Sequence, residues 1–188
     1  MKKKIVLLGD SIRLGYGQIV PSLLGDDYEV WQSPDNCRFA KYTLRMLFDE
    51  AANIQNADVI HWNNGLWDAL RLFGDEPFTE LEYYGKTLVR IYQRIRLLFP
   101  NAKVIFALST SVKEEWANSD FIRYNKEIEE YNKEAIKVLV PLGVEINDLY
   151  SVSKAFADDL RSDWVHYGEE ASKILADAVI KKCTEKAK

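Results

Sequence analysis

The sequence places a serine directly after a short apolar run near its start. Residues 4–8 are mostly aliphatic, and Gly9-Asp10-Ser11 follows them at once. A turn of this kind, between a strand and a helix, lets the backbone reverse sharply and raises the hydroxyl to the upper edge of a sheet. A serine hydroxyl becomes a good nucleophile only when a neighbouring base removes its proton. Ser11 is therefore a candidate nucleophile, and it needs a base within reach.

Only two histidines are present, so an imidazole base must be His61 or His166. His61 lies in the middle of the apolar run 59–62, which favours a histidine inside the core. His166 precedes the last amphipathic segment, and Asp163 stands three residues before it. One short turn can aim an aspartate at Nδ1 of the imidazole while Nε2 faces the serine. This spacing predicts a catalytic triad of Ser11, His166 and Asp163.

The composition argues against metal and nucleic-acid chemistry. Cys37 and Cys183 are far apart, and neither has a histidine or a second cysteine near it, so no zinc-binding spacing is present. Lys and Arg number 25 against 29 Asp and Glu, which gives a net charge of −4 without a basic stripe. We therefore expect no metal, no other cofactor and no nucleic-acid partner.

The elements that must position these residues alternate along the chain. Five short apolar runs predict buried strands: residues 4–8, 28–31, 59–62, 104–108 and 144–146. Amphipathic helical stretches separate them, and strands joined in this way form a parallel sheet that is covered on both faces. The pattern predicts an α/β chain folded as a three-layer α/β/α sandwich, with one domain over residues 1–188. In such sheets, ligands bind beyond the carboxyl ends of the strands.

Three helices are predicted most clearly. The first opens at a Thr79-x-x-Glu82 capping box. The second covers residues 121–138, where apolar side chains recur at helical spacing, and the third runs from 169 to about 182 with acids in its first turn and lysines in its last. A weaker helical pattern covers residues 151–159.

The first and last motifs together resemble the SGNH, or GDSL-type, hydrolases. In that family a Gly-Asp-Ser block follows the first strand and an Asp-x-x-His block precedes the last helix, as Gly9-Asp10-Ser11 and Asp163-x-x-His166 do here. The resemblance covers nearly the whole chain and implies a flavodoxin-like sheet of five parallel strands. It also implies that Ser11 is the nucleophile, His166 the general base and Asp163 the acid that orients the base.

The middle motifs of the family bear on the oxyanion hole. The family has a glycine after the second strand, where Cys37 stands here, and a backbone N–H would still serve as a donor. The family's Gly-x-Asn-Asp motif follows the third strand, and Trp67 takes the place of its asparagine. We expect Asn63, or otherwise Asn64, to supply the side-chain donor. The expected hole consists of the Asn63 amide and the backbone N–H groups of Ser11 and Cys37.

Four residues are candidates for substrate binding. Arg13 lies two residues past Ser11 and could bind a carboxylate or phosphate, although a solvated arginine or a structural ion pair explains it equally well. Trp67 and Trp164 lie within motifs that border the site, and aromatic faces stack on sugar C–H surfaces, although packing explains most tryptophans. Asn64 is the fourth candidate.

These features predict a serine esterase that hydrolyses a short acyl ester, above all an acetyl ester, of a carbohydrate or another polar small molecule. A lysophospholipase or thioesterase of the same fold is the alternative within this chemistry. A flavodoxin-like binding module, with a phosphate at the turn after the first strand, is the alternative from another class. A catalytically silent relative that retains sugar binding is a third.

The sequence also carries expectations about location and partners. Neither a signal peptide nor a membrane-spanning run is evident, so we expect a cytoplasmic protein with reduced thiols and no membrane partner. The expected partner is a small-molecule ester, and the sequence does not indicate an oligomeric state.

Overall fold

The central feature of the fold is a five-stranded parallel sheet. The computed structural model describes residues 2–187, which contain seven strands: β1 (Lys3–Leu8), β2 (Tyr28–Gln32), β3 (Val59–Trp62), β4 (Arg71–Leu72), β5 (Lys103–Ala107), β6 (Phe121–Ile122) and β7 (Glu145–Asn147). Five of them lie in the order β2-β1-β3-β5-β7, and every neighbouring pair is parallel. Counted among the parallel strands alone, this is the flavodoxin-like strand order. The predicted sheet is confirmed.

Helices cover both faces of this sheet. The described residues form eight α-helices: α1 (Ser11–Gly17), α2 (Val20–Leu23), α3 (Ala40–Asp49), α4 (Ala51–Ile54), α5 (Leu81–Leu98), α6 (Asn125–Leu139), α7 (Leu149–Lys154) and α8 (Glu169–Ala187). One group contains α5, which packs against α3 and α6, and the other contains α8, which packs against α1, α2 and α7. None of these helices combines the length and the apolar composition that crossing a bilayer requires.

The inner strands of the sheet, β1, β3 and β5, are buried on both sides. All four residues of β3 and the last four of β1 are buried. Because helices exclude water from both faces of a parallel sheet, such strands are continuously apolar rather than alternating. This explains why short apolar runs located the five central strands in the sequence, and it fixes the turns that follow them.

The second predicted helix begins later than expected. Phe121 and Ile122 form β6, which pairs antiparallel with β4 in a small ribbon outside the main sheet. Tyr124 is still extended, and α6 starts at Asn125. The Asn125 side chain bonds both the N–H and the carbonyl of Val112 at 2.9 Å, which ties this point of the chain to the segment after β5. The expectation of a helix from residue 121 is therefore wrong.

Other helix boundaries also differ from expectation. The capping box at Thr79 does not form, because Thr79 donates its N–H to the Asp68 carbonyl at 3.0 Å and Glu80 occupies the N-cap position. The predicted helix at 151–159 is instead α7, which Asp148 caps by accepting the Ser151 N–H, followed by a short 3-10 turn over Asp158–Leu160. The last helix is longer than predicted and reaches residue 187.

Candidate active site

Ser11 is the first residue of α1 and lies at the carboxyl edge of the sheet. The Asp10 side chain caps this helix by accepting the Ile12 N–H at 3.0 Å. Gly9 has no side chain, and the space is used by Asn63, whose Oδ1 lies 1.9 Å from the point where a Cβ would stand. A larger residue at position 9 would therefore displace Asn63, so the turn packs tightly against the end of β3.

His166 connects Ser11 to Asp163 through its two ring nitrogens. Its Nε2 lies 2.8 Å from Ser11 Oγ, and its Nδ1 lies 2.7 Å from Asp163 Oδ2. The other carboxylate oxygen of Asp163 accepts the backbone N–H groups of Val165 and His166, each at 2.7 Å. The structure thus brings together the three residues predicted for the triad, in a hydrogen-bond chain that can move a proton away from the serine.

The charge state of Asp163 suits this arrangement. Burial raises the pKa of its carboxyl, but hydrogen bonds from His166 and from the Val165 N–H outweigh burial and hold the pKa below its usual range. An ionised carboxylate at Nδ1 stabilises the imidazolium that forms when the base takes a proton. The side chains of His166 and Asp163 are 43% and 49% exposed, so the site is open to solvent.

The loop that carries Asp163 and His166 is anchored to the segment after β5. This loop comprises residues 161–168. Its Trp164 carbonyl accepts the Lys113 N–H at 2.7 Å, and its Tyr167 hydroxyl donates to the Ser111 carbonyl at 2.6 Å. These contacts fix the loop on a rigid strand end, which keeps the imidazole in place for Ser11.

The second histidine lies inside the sheet, as its sequence position indicates. His61 is fully buried in β3, with Nε2 3.1 Å from the Asn147 amide and Nδ1 3.5 Å from the Tyr16 hydroxyl. Burial lowers the pKa of its imidazole to about 3, so the ring is neutral under physiological conditions. His61 is therefore a core histidine, and His166 is the imidazole at the sheet edge.

Cys37 does not turn its backbone N–H toward Ser11. This N–H donates to the Gly9 carbonyl at 3.0 Å, and Sγ accepts the Gly9 N–H at 3.2 Å. The two bonds tie the loop after β2 to the end of β1. Burial also raises the pKa of the thiol to about 11, which makes it unreactive. This corrects the expectation that Cys37 belongs to the oxyanion hole, since its N–H already has an acceptor.

The amide of Asn64 is also hydrogen-bonded within the protein. It is fully buried, its Oδ1 accepts the Trp62 indole N–H at 3.1 Å, and its Nδ2 donates to the Arg38 carbonyl at 2.9 Å. Both ends of the amide are used. The expectations that Asn64 binds substrate or supplies the oxyanion donor are therefore wrong.

Asn63 contacts the turn that carries Ser11, because its Oδ1 lies against Gly9. Burial raises the pKa of the Asp10 carboxyl and the Asn63 side chain lowers it in part, while Asn63 Oδ1 is buried without a hydrogen-bond partner. The Ser11 N–H is the first of α1 and so has no intrahelical acceptor. The roles of Asn63 and of the Ser11 N–H as oxyanion donors stay predictions.

Arg13 has a structural role in place of the expected substrate contact. Its side chain is fully buried and donates to the carbonyls of Ser33 at 2.8 Å, Asp35 at 2.6 Å and Gly9 at 3.2 Å. It joins α1 to the loop after β2. The proposed contact between Arg13 and a substrate anion is therefore wrong, because the guanidinium is turned into the protein.

Trp67 and Trp164 both pack against Arg123, a residue that no sequence motif marks. The guanidinium carbon of Arg123 lies 5.8 Å from the centroid of Trp67, 5.4 Å from that of Phe121 and 5.3 Å from that of Trp164. The Arg123 Nε donates to the Leu66 carbonyl. No sequence signal marked Arg123, because it falls in a stretch predicted as helix, whereas the ribbon of β4 and β6 brings it to the site.

A cavity of about 380 Å³ adjoins this aromatic cluster. Its lining is mainly apolar and includes Phe39, Trp67, Leu70, Phe78 and Phe121. Among residues 2–187, no group of three or more His, Cys, Asp or Glu side chains could hold a metal ion.

Comparisons with known proteins find structural relatives but no sequence family. No family model matches the sequence, and no curated protein does. The acetyl xylan esterase AlAXEase is 17% identical, with a TM-score of 0.73 over 95% of this chain and 98% of that chain. A lipase/acylhydrolase from Enterococcus faecalis is also 17% identical, with a TM-score of 0.73 over 96% and 94% of the two chains.

A GDSL-like lipase from Bacteroides thetaiotaomicron VPI-5482 is 15% identical, with a TM-score of 0.75 over 97% of this chain and 88% of that chain. The chain therefore has the fold of the SGNH-type hydrolases, as the resemblance of its two motifs implies.

Proposed function

We propose that this protein is a serine esterase with Ser11 as its nucleophile. The observation that carries the proposal is the 2.8 Å contact between Ser11 Oγ and His166 Nε2, with Asp163 2.7 Å from the other ring nitrogen. Structures with a similar fold include an acetyl xylan esterase and two lipases or acylhydrolases, which supports ester hydrolysis as the activity. This geometry favours a hydrolase over a flavodoxin-like binding module, which has no use for such a hydrogen-bond chain.

The reaction takes two steps. Ser11 Oγ attacks the ester carbonyl carbon while His166 Nε2 takes the hydroxyl proton, and the Asp163 carboxylate stabilises the imidazolium. The imidazolium then protonates the departing alcohol oxygen, which leaves the acyl group on Ser11. Water loses a proton to His166 and attacks this acyl group, and the carboxylic acid departs as Ser11 regains its proton.

We assign the tetrahedral oxyanion to the Ser11 N–H and the Asn63 amide. Cys37 and Asn64 use their donors within the fold, so this hole has fewer donors than expected. Loss of one oxyanion donor costs about 3 kcal/mol of transition-state stabilisation. We therefore expect slow turnover.

The substrate we propose is a short acyl ester, such as an acetyl ester, of a carbohydrate or another polar small molecule. The exposed His166 and Asp163 make the site accessible to a polar alcohol, and the half-buried rings of Trp67 and Trp164 offer aromatic surface beside it. The similarity to the acetyl xylan esterase fold supports the same class.

A longer acyl chain is the second candidate, and a specific observation favours it. The apolar cavity of about 380 Å³ lies beside Trp67, and Phe78 on its rim is 51% exposed. This surface could receive the chain of a lysophospholipase or thioesterase substrate. The rates on p-nitrophenyl acetate, butyrate and octanoate separate the two candidates, because a preference for octanoate supports the longer chain.

Loss of either central triad residue should abolish ester hydrolysis. We expect Ser11→Ala and His166→Ala to lower kcat on p-nitrophenyl acetate by about 10³-fold or more, because the first removes the nucleophile and the second its base. Ser22→Ala, which changes an exposed serine on α2, serves as the matched control and should keep full activity. Undiminished hydrolysis in the Ser11 or the His166 variant would contradict the proposal.

A further inference from the structure

Arg123 is a buried cation without a carboxylate partner. Its side chain is 3% exposed, and Nε is bonded to the Leu66 carbonyl. Within residues 2–187, neither Nη atom makes a hydrogen bond, and the nearby carboxylates act on Arg123 only through their charge. Neither Nη is sealed from solvent. A buried guanidinium is costly without a partner, so its two free Nη groups are positioned for a ligand.

The position of Arg123 relates it to the triad. It contacts the ring of Trp164, the residue that follows Asp163 in the chain. Its Nε donates to the carbonyl of Leu66, in the segment after β3. The negative charges of Asp10 and Asp163 both raise the pKa of its guanidinium. Arg123 therefore lies at the carboxyl edge of the sheet, against the loop that carries Asp163.

Arg123 keeps its charge at neutral pH, and no carboxylate of residues 2–187 forms a direct ion pair with it. Burial lowers the pKa of its guanidinium to about 10, well above physiological pH. Asp163 and Asp10 are the acids whose charges act on Arg123, and their hydrogen bonds run to His166 and to the Ile12 N–H rather than to the guanidinium. An anionic ligand would complete the missing ion pair.

We infer that Arg123 binds a carboxylate of the substrate, so that the preferred ester carries a carboxylate close to its acyl group. A guanidinium presents a planar fork that matches a carboxylate with two parallel hydrogen bonds. The rings of Trp67, Phe121 and Trp164 hold the guanidinium in place through cation–π contacts, so little freedom is lost on binding. This inference rests on the proposed esterase function and narrows its substrate class.

Arg13, the arginine that the sequence suggests for binding a substrate anion, differs from Arg123 in its hydrogen bonds. Arg13 satisfies three backbone carbonyls inside the protein, whereas Arg123 bonds one and leaves both Nη groups free. The anion-binding role belongs to Arg123, because its free Nη donors are not sealed from solvent, whereas the one free donor of Arg13, Nε, is buried.

A matched pair of substrates tests the inference. The pair is a methyl glucosiduronic acid with one acetyl ester and the corresponding uronamide with the acetyl on the same hydroxyl, and the readout is acetate release. We expect the wild-type protein to prefer the acid by about tenfold or more in kcat/KM. Arg123→Gln should lose about 10- to 100-fold on the acid, mainly through KM, and less than about threefold on the amide. Arg123→Lys should recover part of the loss.

Controls separate this inference from the proposed function. Arg45→Gln, which removes an exposed arginine on α3, makes the same change of net charge and should leave the acid preference intact. Labelling of Ser11 by an uncharged fluorophosphonate checks that each variant retains a working triad.

Equal rates of the wild-type protein on the acid and the amide would overturn the inference even if Arg123→Gln failed to fold. Equal losses of Arg123→Gln on both substrates would also overturn it. If the wild-type protein were neither labelled nor active on either ester, the proposed function itself would fail, and the inference with it.

Discussion

At the scale of single residues, the proposed chemistry depends on the contact between Ser11 Oγ and His166 Nε2. Ser11 and His166 were identified because their motifs stand at fixed places in the chain, and the structure brings them into contact. Arg13 and Asn64 also lie at the expected places, but their polar groups turn inward and bond the backbone or Trp62. Sequence spacing does not report which way a side chain points, so these two assignments failed.

Asp163→Asn should leave the fold intact and slow the reaction. An asparagine can present its NH₂ group to Nδ1, which favours the wrong tautomer of His166 and removes the negative charge that stabilises the imidazolium. We expect kcat on p-nitrophenyl acetate to fall by about 10²- to 10⁴-fold with little change in KM. Steady-state kinetics checks this, with Asp159→Asn on the exposed turn as the matched control. An unchanged kcat would mean that Asp163 does not orient the base.

At the scale of elements, the five central strands were predictable and the connections were not. The three inner strands, β1, β3 and β5, are buried on both faces, so their apolar runs are strong signals. The ribbon of β4 and β6 has only two residues in each strand, and Phe121 also fits a helical pattern. The start of α6 is decided by the bonds of Asn125 to Val112, which are tertiary contacts that no local pattern contains.

Arg13 should stabilise the junction of β1, α1 and the loop after β2. Arg13→Met leaves the carbonyls of Gly9, Ser33 and Asp35 without their donor, and unsatisfied buried groups cost about 1–3 kcal/mol each. We expect the free energy of unfolding to fall by about 2–4 kcal/mol in urea titrations. Arg45→Met, at an exposed ion pair on α3, should change it by less than about 1 kcal/mol. Equal effects of the two substitutions would contradict the structural role of Arg13.

At the scale of the whole molecule, the sheet places the two histidines in different environments. His61 lies within β3 and is neutral, whereas His166 lies at the carboxyl edge beside Ser11. The observed strand order is the flavodoxin-like one that the resemblance to the SGNH hydrolases implies. Arg123 could not be predicted in the same way, because its environment combines Trp67, which follows β3, and Phe121 of β6 with Trp164 from the loop before α8.

The buried His61 should make the protein less stable in acid. The unfolded chain binds a proton at His61 below pH 6.5, whereas the folded chain does so only below about 3. Between these values the unfolded state binds more protons, so lowering the pH reduces the free energy of unfolding, by up to about 1.4 kcal/mol per pH unit. Urea titrations from pH 6.5 to 4 measure this change, and the free energy of unfolding of His61→Gln should depend less steeply on pH.

The carboxyl of Asp68 has the opposite effect on the free energy of unfolding over the same pH range. Burial raises its pKa from 3.8 to about 7, so the folded state holds a proton there that the unfolded state loses as the pH rises. The comparison between wild-type protein and His61→Gln removes this contribution, because both proteins contain Asp68. Identical pH dependence in the two proteins would contradict the account of His61.

The most direct test of the central claim is covalent labelling of Ser11 by a fluorophosphonate, followed by intact-mass and peptide mass spectrometry. The account predicts one adduct per chain, located on Ser11, absent in Ser11→Ala and strongly slowed in His166→Ala. It also predicts that Ser22→Ala is labelled like the wild-type protein. An unlabelled wild-type protein, or an adduct that persists in Ser11→Ala, would contradict the claim that Ser11 is an activated nucleophile.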